Sequence, residues 1–237
     1  MRYQRILLKL SGEVLAGKVG FGLDFRAIET ICEQVAQVAR EGVQVGLVVG
    51  GGNFFRGRQA TDEGIERSQA DYMGMLGTTI NALALQDVLE RKCQLPTRVL
   101  TAIEMRAIAE PYIRRRALRH MEKGRIVIFA AGTGSPYFST DTTAALRAAE
   151  IGAQCLVKAT KVDGIYDKDP QKYPDAVKFS HLTYQDALVK QIAVMDAASF
   201  SLCMENHIPI VVLNVQEKGT LWRFLIDGDE IGSIVSE

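Results

Sequence analysis

Along this chain an amphipathic segment, a glycine and an aliphatic run follow one another repeatedly. The unit appears as AIETICEQVAQVAREG before VQVGLVVGGG, as ALRHMEKG before RIVIFAAGTG, and as TTAALRAAEIG before AQCLVKAT. In the first, Ile28, Ile31, Val35 and Val38 fall on one helical face, with Asp24 placed as N-cap and Gly42 as the stop. The aliphatic runs barely alternate, as expected of strands covered by helices on both faces. RILLKL near the start, PIVVLNV (209–215) and GSIVSE (232–237) add further strands. The pattern predicts an α/β fold, a three-layer αβα sandwich around a mostly parallel central sheet. With no repeat, low-complexity tract or linker, residues 1–237 are expected to form a single domain.

YMGMLGTTINALALQDVL (72–89) is helical in period yet apolar almost all round. Leu76, Ile80 and Leu83 make one stripe, while Met73, Met75, Leu85 and Val88 occupy other faces. Such a helix is expected to be covered on both sides, by the chain's own core or by a second subunit. A dimer or larger assembly is therefore expected.

Composition narrows the function classes. The chain has 237 residues, 47% hydrophobic and 24% charged, enough for a sizeable core. Formal net charge is zero, so no global field favours nucleic acid or an anionic membrane. The basic stretch IRRRALRHMEKGR (113–125) reads as a solvated helix face ending at Gly124. Cys32, Cys93, Cys155 and Cys203 lie far apart without a C-x-x-C, and the histidines are scattered. That argues against a zinc centre or a disulfide framework and for buried thiols in a reducing compartment. Apolar runs fall short of membrane-spanning length, and the aliphatics before Lys9 are too few for a signal peptide. A soluble, cytoplasmic protein is expected.

Ligands of open parallel sheets bind at the carboxyl ends of the strands, so the residues there locate a site. Ser11-Gly12 follows the first strand, with Lys9 just inside its end. GGGNFFRG (50–57) follows the second, AGTGSPYFSTD (131–141) follows RIVIF, and KATKVDGIYDKDP (158–170) continues AQCLV. Glycine amides and lysines suit phosphate oxygens, and carboxylates suit a metal or the positioning of a lysine, which together point to phosphoryl transfer. Each part also has a plainer reading. Glycines make turns, and Asp141, behind a Ser139/Thr140 cap, could simply offset a helix dipole. Lys9 resists such a reading, because a lysine interrupting an apolar strand is costly without an anionic partner.

Two familiar fingerprints fail. Gly12-Glu-Val-Leu-Ala-Gly17-Lys18 matches a Walker A loop until Val19, where a hydroxyl is required, and GFGLD follows where a helix should begin. In the triple-glycine stretch, Phe55 stands at the third glycine of a dinucleotide fingerprint. G-x-S-x-G is absent and no histidine neighbours these loops in sequence, so no nucleophilic triad emerges. Phosphoryl transfer needs none.

Taken in order, Lys9-Leu-Ser-Gly12, Gly50-Gly-Gly-Asn-Phe-Phe-Arg56, Asp71-Tyr-Met-Gly-Met-Leu, TGSPYFSTD and KATKVDGIYDKDP resemble the bacterial uridylate (UMP) kinases. These have the amino-acid-kinase fold shared with aspartokinase and carbamate kinase, and the resemblance runs from Arg5 to the C-terminus. It implies transfer from ATP to UMP, giving ADP and UDP in pyrimidine nucleotide biosynthesis. Mg²⁺ would be carried by ATP with no direct protein ligand. Lys9, Asp141, Lys158 and Asp196 would be catalytic, the lysines stabilising the transferred phosphoryl and Asp141 orienting them. Lys9, Leu10, Ser11, Gly12, Gly52, Arg56, Thr160, Tyr166 and Asp169 would meet ATP. Gly51, Asp71 and the run Thr133, Gly134, Ser135, Pro136, Tyr137, Phe138, Ser139 and Thr140 would hold UMP. The acceptor site would thus lie mainly in the N-terminal half and the ATP site mainly in the C-terminal half.

The same resemblance implies regulation and assembly. Gly17, Lys18, Val19, Gly20, Phe21 and Gly22, with Asp87 and Arg125, match a region that receives a GTP activator between subunits of a homohexamer, a trimer of dimers. UTP would inhibit at the UMP site, and neither membrane nor nucleic acid would be needed. Gln86 stands where relatives often carry arginine, which bears on GTP. Gln154 stands where they often carry aspartate, which bears on the surroundings of Lys158. Two rival readings are an enzyme of the same fold that phosphorylates a carboxylate or carbamate, and a nucleotide sensor without turnover. Arg56 and Asp71 weigh against the first; Lys9, Asp141 and Lys158 weigh against the second.

Overall fold

The first helix–glycine–strand unit shows how the layers arise. Helix α2 (Phe25–Arg40) begins at Asp24, whose carboxylate accepts from the amides of Arg26 and Ala27 at 3.0 and 3.4 Å. Its Ile28, Ile31, Val35 and Val38 are buried against the sheet. Past Gly42 the chain enters β2 (Gln44–Val49), which pairs in parallel with β1 (Arg5–Leu10). The computed structural model describes residues 1–56, 64–190, 192 and 194–237. Within them the other sheet strands are β3 (Thr97–Thr101), β4 (Glu110–Pro111), β5 (Ile126–Ala130), β6 (Cys155–Thr160), β9 (His181–Thr183), β10 (Ile210–Asn214) and β11 (Ser233–Ser236). The order across the nine-stranded sheet is β4-β3-β5-β2-β1-β6-β10-β11-β9, and all its pairs are parallel except β10 with β11. β7 (Ile165–Tyr166) and β8 (Lys178–Phe179) form a separate antiparallel pair.

Two apolar clusters flank the sheet and confirm the three layers. One joins α1 (Gly12–Leu15), α2, α3 (Arg67–Arg91) and α8 (Thr220–Trp222, continued by a π turn over Arg223–Asp227) to one face. The other joins α4 (Arg114–Glu122), α5 (Thr140–Ile151), α6 (Tyr184–Val189) and α7 (Ala197–Glu205) to the opposite face. Strand residues alternate between the clusters: Ile6, Leu8 and Leu10 of β1 join the first, Leu7 the second. Lys9 therefore shares the side of Leu7, toward α5. By the same alternation Lys158 of β6 shares the side of Leu156.

Of the two covers expected for α3, this chain's own core supplies only part. Met75, Ala82, Leu85 and Val88 are buried, but Tyr72, Met73, Leu76 and Ile80 remain exposed, Leu76 by 49% and Ile80 by 47%. The four cysteines are buried and free, and burial pushes the Cys203 thiol up to about 12. Among the described residues no helix is long and apolar enough to cross a membrane.

Candidate active site

The strand register builds the centre of the site. Lys9 and Lys158 are direct neighbours across the parallel β1–β6 pair and point to the same face. Two ammonium groups so close repel each other, and Asp141 answers both. Its Oδ1 lies 2.7 Å from Lys9 Nζ and its Oδ2 2.9 Å from Lys158 Nζ, with side-chain exposures of 9, 16 and 19% for Lys9, Asp141 and Lys158. The Lys9 contact is an ion pair without hydrogen-bond alignment, whereas Lys158 donates to Oδ2 and also to the Val194 carbonyl at 2.6 Å. Burial alone would raise the Asp141 pKa, but Lys9 and Lys158 outweigh it and hold the carboxyl below its ordinary range. Burial lowers the Lys158 pKa, Asp141 opposes that shift, and Lys9 adds to it.

Asp141 is placed by the start of α5, where Ser139 Oγ accepts the Thr142 amide at 3.0 Å. Asp196 braces the same cap from outside. It is the N-cap of α7, accepting the Ser199 amide at 2.8 Å, and it also accepts from Thr142 Oγ1 at 3.0 Å and from the Ser139 hydroxyl. Burial alone would raise its pKa, but these donors keep the carboxyl below the usual range. Asp196 thus joins the N-termini of two helices, and its charge also acts on Lys158, favouring the ammonium form.

Turns after β1 and β2 interlock beside this centre. Gly50 N–H donates to the Leu10 carbonyl at 2.9 Å. A Cβ on Gly12 would stand 2.3 Å from Asn53 Oδ1 and 2.9 Å from Gly52 N, so the turn led by Ser11 has no room for a side chain there. Gly51 is close-packed for another reason: a Cβ would meet the Gly74 carbonyl of α3 at 2.5 Å. A Cβ on Gly52 would meet nothing within 4 Å. Arg56 reaches back to Glu13 at 2.6 Å, and Lys161 approaches the same carboxylate at 3.9 Å. Gly57, the last residue of the glycine-rich stretch, lies outside the described residues.

Of the residues expected around the acceptor, Gly51, Asp71, Thr133, Phe138 and Thr140 line a pocket of about 120 Å³, together with Gly52, which was expected at ATP; Gly134, Ser135, Pro136, Tyr137 and Ser139 are not among its lining. Asp71 accepts from Arg67 Nε at 2.9 Å and from the Tyr137 amide at 2.8 Å, tying α3 to the 131–139 turn. That turn is strained: Ala131 has φ +60° and Tyr137 φ +72°, each a cost of about 1–3 kcal/mol. Thr78 of α3 helps hold it by accepting the Ala131 amide at 2.9 Å. Within the turn Thr133 Oγ1 donates to the Ser135 carbonyl at 3.1 Å, and Gly134 packs on Ala102; Pro136 leads to exposed Tyr137.

A larger cleft of about 550 Å³ reaches Lys158 and is lined also by Thr160, Tyr166, Asp169, Val194 and Val212 among others. Thr160 Oγ1 donates to the Val162 carbonyl at 2.5 Å, and Asp169 accepts the Gln171 amide at 3.0 Å. Tyr166 donates to Asp163 at 2.6 Å, a bond that pushes its phenol up to about 12. Thr160, Tyr166 and Asp169 are thus gathered with Lys158, while Arg56 pairs with Glu13 at the β1–β2 turns. The segment Gly17-Lys18-Val19-Gly20-Phe21-Gly22 follows α1, with Val19 and Phe21 exposed. Asp87 pairs instead with Arg91 at 2.9 Å, and Arg125 with the His120 ring at 3.0 Å. These three parts of the expected effector region make separate contacts in one chain.

Gln154 corrects one expectation. It precedes β6 at the end of the sheet opposite the site, where its side chain accepts from the Gln4 and Arg5 amides at 2.5 and 3.3 Å. It does not shape the surroundings of Lys158. Gln86 donates to the Thr97 carbonyl at 3.3 Å. Glu13, Asn53, Thr78 and Asn81 are site neighbours without an expected role, and polar Thr78, Thr79 and Asn81 inside the apolar run 72–89 are the signal in the sequence that points to them.

Comparison with known proteins agrees with this geometry. The profile of the amino acid kinase family matches residues 4–214, and the chain belongs to that family. It is 38% identical to the UMP kinase of Bacillus anthracis, over 100% of this chain and 97% of that one, at a TM-score of 0.95. The UMP kinase of Ureaplasma parvum is 37% identical over 100% of both chains, at a TM-score of 0.93. The uridylate kinase of Archaeoglobus fulgidus is 26% identical, covering 98% of this chain and 99% of its own, at a TM-score of 0.71.

Proposed function

We propose that this kinase transfers a phosphoryl group from ATP to UMP, forming ADP and UDP for pyrimidine nucleotide synthesis in the cytoplasm. The observation that carries the reading is the placement of the Lys9–Asp141–Lys158 cluster. Lys158 lines the larger cleft and Thr140, next to Asp141, lines the smaller pocket, so the cluster stands where the two meet. ATP would occupy the larger cleft, with its phosphates toward Lys9, Ser11, Gly12, Gly52 and Arg56. UMP would occupy the pocket of Gly51, Asp71 and the 133–140 turn, within one domain over 1–237.

The chemistry then needs little covalent help. A phosphate monoester, with a second pKa of about 6, is already largely dianionic at neutral pH, so its oxygen attacks without a general base. Lys9 and Lys158 would offset the repulsion between the two phosphates, and Asp141 would keep both ammonium groups aimed without rearrangement during reaction. The carboxylates present do not compete for a metal: Asp141 is engaged by two lysines, Asp196 by hydroxyls and an amide. They fit Mg²⁺ held by ATP oxygens, where it would supply further charge neutralisation. The exposed α3 stripe supports assembly, proposed as a homohexamer with GTP as activator at the 17–22 region and UTP as inhibitor. ADP release measured against UMP, CMP, carbamate and acetylglutamate tests the acceptor. UMP should be preferred; preference for a carboxylate or carbamate would overturn the proposal, as would ATP binding without ADP release.

A further inference from the structure

Between α3 and the turn after β2, an otherwise apolar contact contains two buried amides. Asn53 and Asn81 are 1% and 0% exposed. Asn81 Nδ2 donates to the Gly50 carbonyl and to Asn53 Oδ1, both at 2.7 Å. Asn53 Nδ2 donates to Asn81 Oδ1 at 2.9 Å and to the Gly22 carbonyl at 2.7 Å. All four amide hydrogens of the pair are thereby used. Gly22 N–H returns a bond to the Asn53 carbonyl at 2.9 Å, so Gly22 and Asn53 are held at two points. Asn53 Oδ1 also fills the space beside Gly12. Phe21 meets Phe54 edge-on, with ring centroids 6.2 Å apart, and Phe54 packs over Gly77 of α3.

An apolar pair of equal size would fill the same volume. It would leave the Gly50 and Gly22 carbonyls without these partners and would fix neither segment in register. The pair touches segment 17–22, the turn at Gly50–Gly52 and α3, but none of the cluster formed by Lys9, Asp141 and Lys158. We propose that Asn53 and Asn81 are positioning residues that set the Gly50–Gly52 turn for a nucleotide phosphate and make segment 17–22 move with it. The phosphate part of this statement rests on the phosphoryl-transfer reading; the mechanical coupling does not.

Hydrogen–deuterium exchange on the whole chain without nucleotide separates the two. In Asn81→Ala, peptides covering 16–24 and 48–56 should exchange about tenfold faster, the scale of one lost buried hydrogen bond. Peptides of β10 and α7 should stay unchanged. Thr79→Ala, which removes a buried hydroxyl bonded only to the Met75 carbonyl of the same helix, should leave 16–24 as in the wild type. Asn81→Ser, whose hydroxyl keeps a donor toward Gly50, should recover part of the protection and serves if Asn81→Ala does not fold. In the ADP-release assay, Asn81→Ala should raise KM for ATP more than it lowers kcat. Unchanged exchange at 16–24, or equal acceleration in every peptide, would overturn the coupling. An inactive wild type would count against phosphoryl transfer alone, because exchange is read without turnover.

Discussion

Lys9 and Lys158 sit side by side on adjacent strands, an arrangement that is unfavourable until something negative arrives. Asp141 supplies one charge for two, leaving a net positive centre whose Lys158 lines the cleft and whose neighbour Thr140 lines the pocket. Lys9→Ala should lower turnover by about two orders of magnitude or more, the scale of losing one preorganised donor. Steady-state ADP release checks it, and near-wild-type turnover would remove Lys9 from the mechanism. The lowered Lys158 pKa gives a pH signature. The ammonium is the useful form, and burial makes it lose its proton at a lower pH than a free lysine. Activity should therefore fall on the alkaline side before the ordinary lysine value of about 10.4, as a limb belonging to the coupled cluster. A pH–rate profile flat through that range would contradict the assignment. Lys9 was legible in the sequence because a charge inside an aliphatic strand demands a partner. Asp141 is ambiguous in the sequence, since an acidic residue in a first helical turn is explained equally well by the helix dipole; only the β1–β6 register puts two lysines beside it. Gln154 is linked to Lys158 by the resemblance alone; it stands before β6, where it accepts the Gln4 and Arg5 amides, while Lys158 lies further along the strand toward the site.

At the scale of elements, the three successive glycines separate into different physical roles. Gly51 is required by α3, whose Gly74 carbonyl leaves no room for a Cβ, whereas Gly52 faces open space. Gly51→Ala should cost about 1–3 kcal/mol in urea unfolding, as overpacking does. Gly52→Ala should stay within about 0.5 kcal/mol yet raise KM for ATP. Equal stability losses at both positions would refute the distinction. The glycine run announced a close approach, but not that one neighbour was the chain's own helix. The long strands were legible from their aliphatic runs. β4, β7, β8 and β9, of two or three residues, carry no period to read and exist only through their pairing partners.

For the whole molecule, the parallel sheet gathers loops from distant parts of the chain onto one edge, which made the site readable before any coordinates. Sheet order was not readable, because local patterns do not say which strands become neighbours. The unfinished surface is α3, where Tyr72, Met73, Leu76 and Ile80 form an exposed apolar stripe. Light scattering should give a mass well above one chain, and Leu76→Glu with Ile80→Glu should reduce it. A monomeric wild type would contradict assembly through this face.

Under the proposed function, the Lys9–Asp141–Lys158 cluster serves the passage of a phosphoryl group from one nucleotide to another. Chromatographic measurement of UDP, with ATP and UMP supplied together, tests it most directly. UDP and ADP should appear in equal amounts; ADP released without UDP, or neither product formed by the folded protein, would contradict transfer between the two nucleotides.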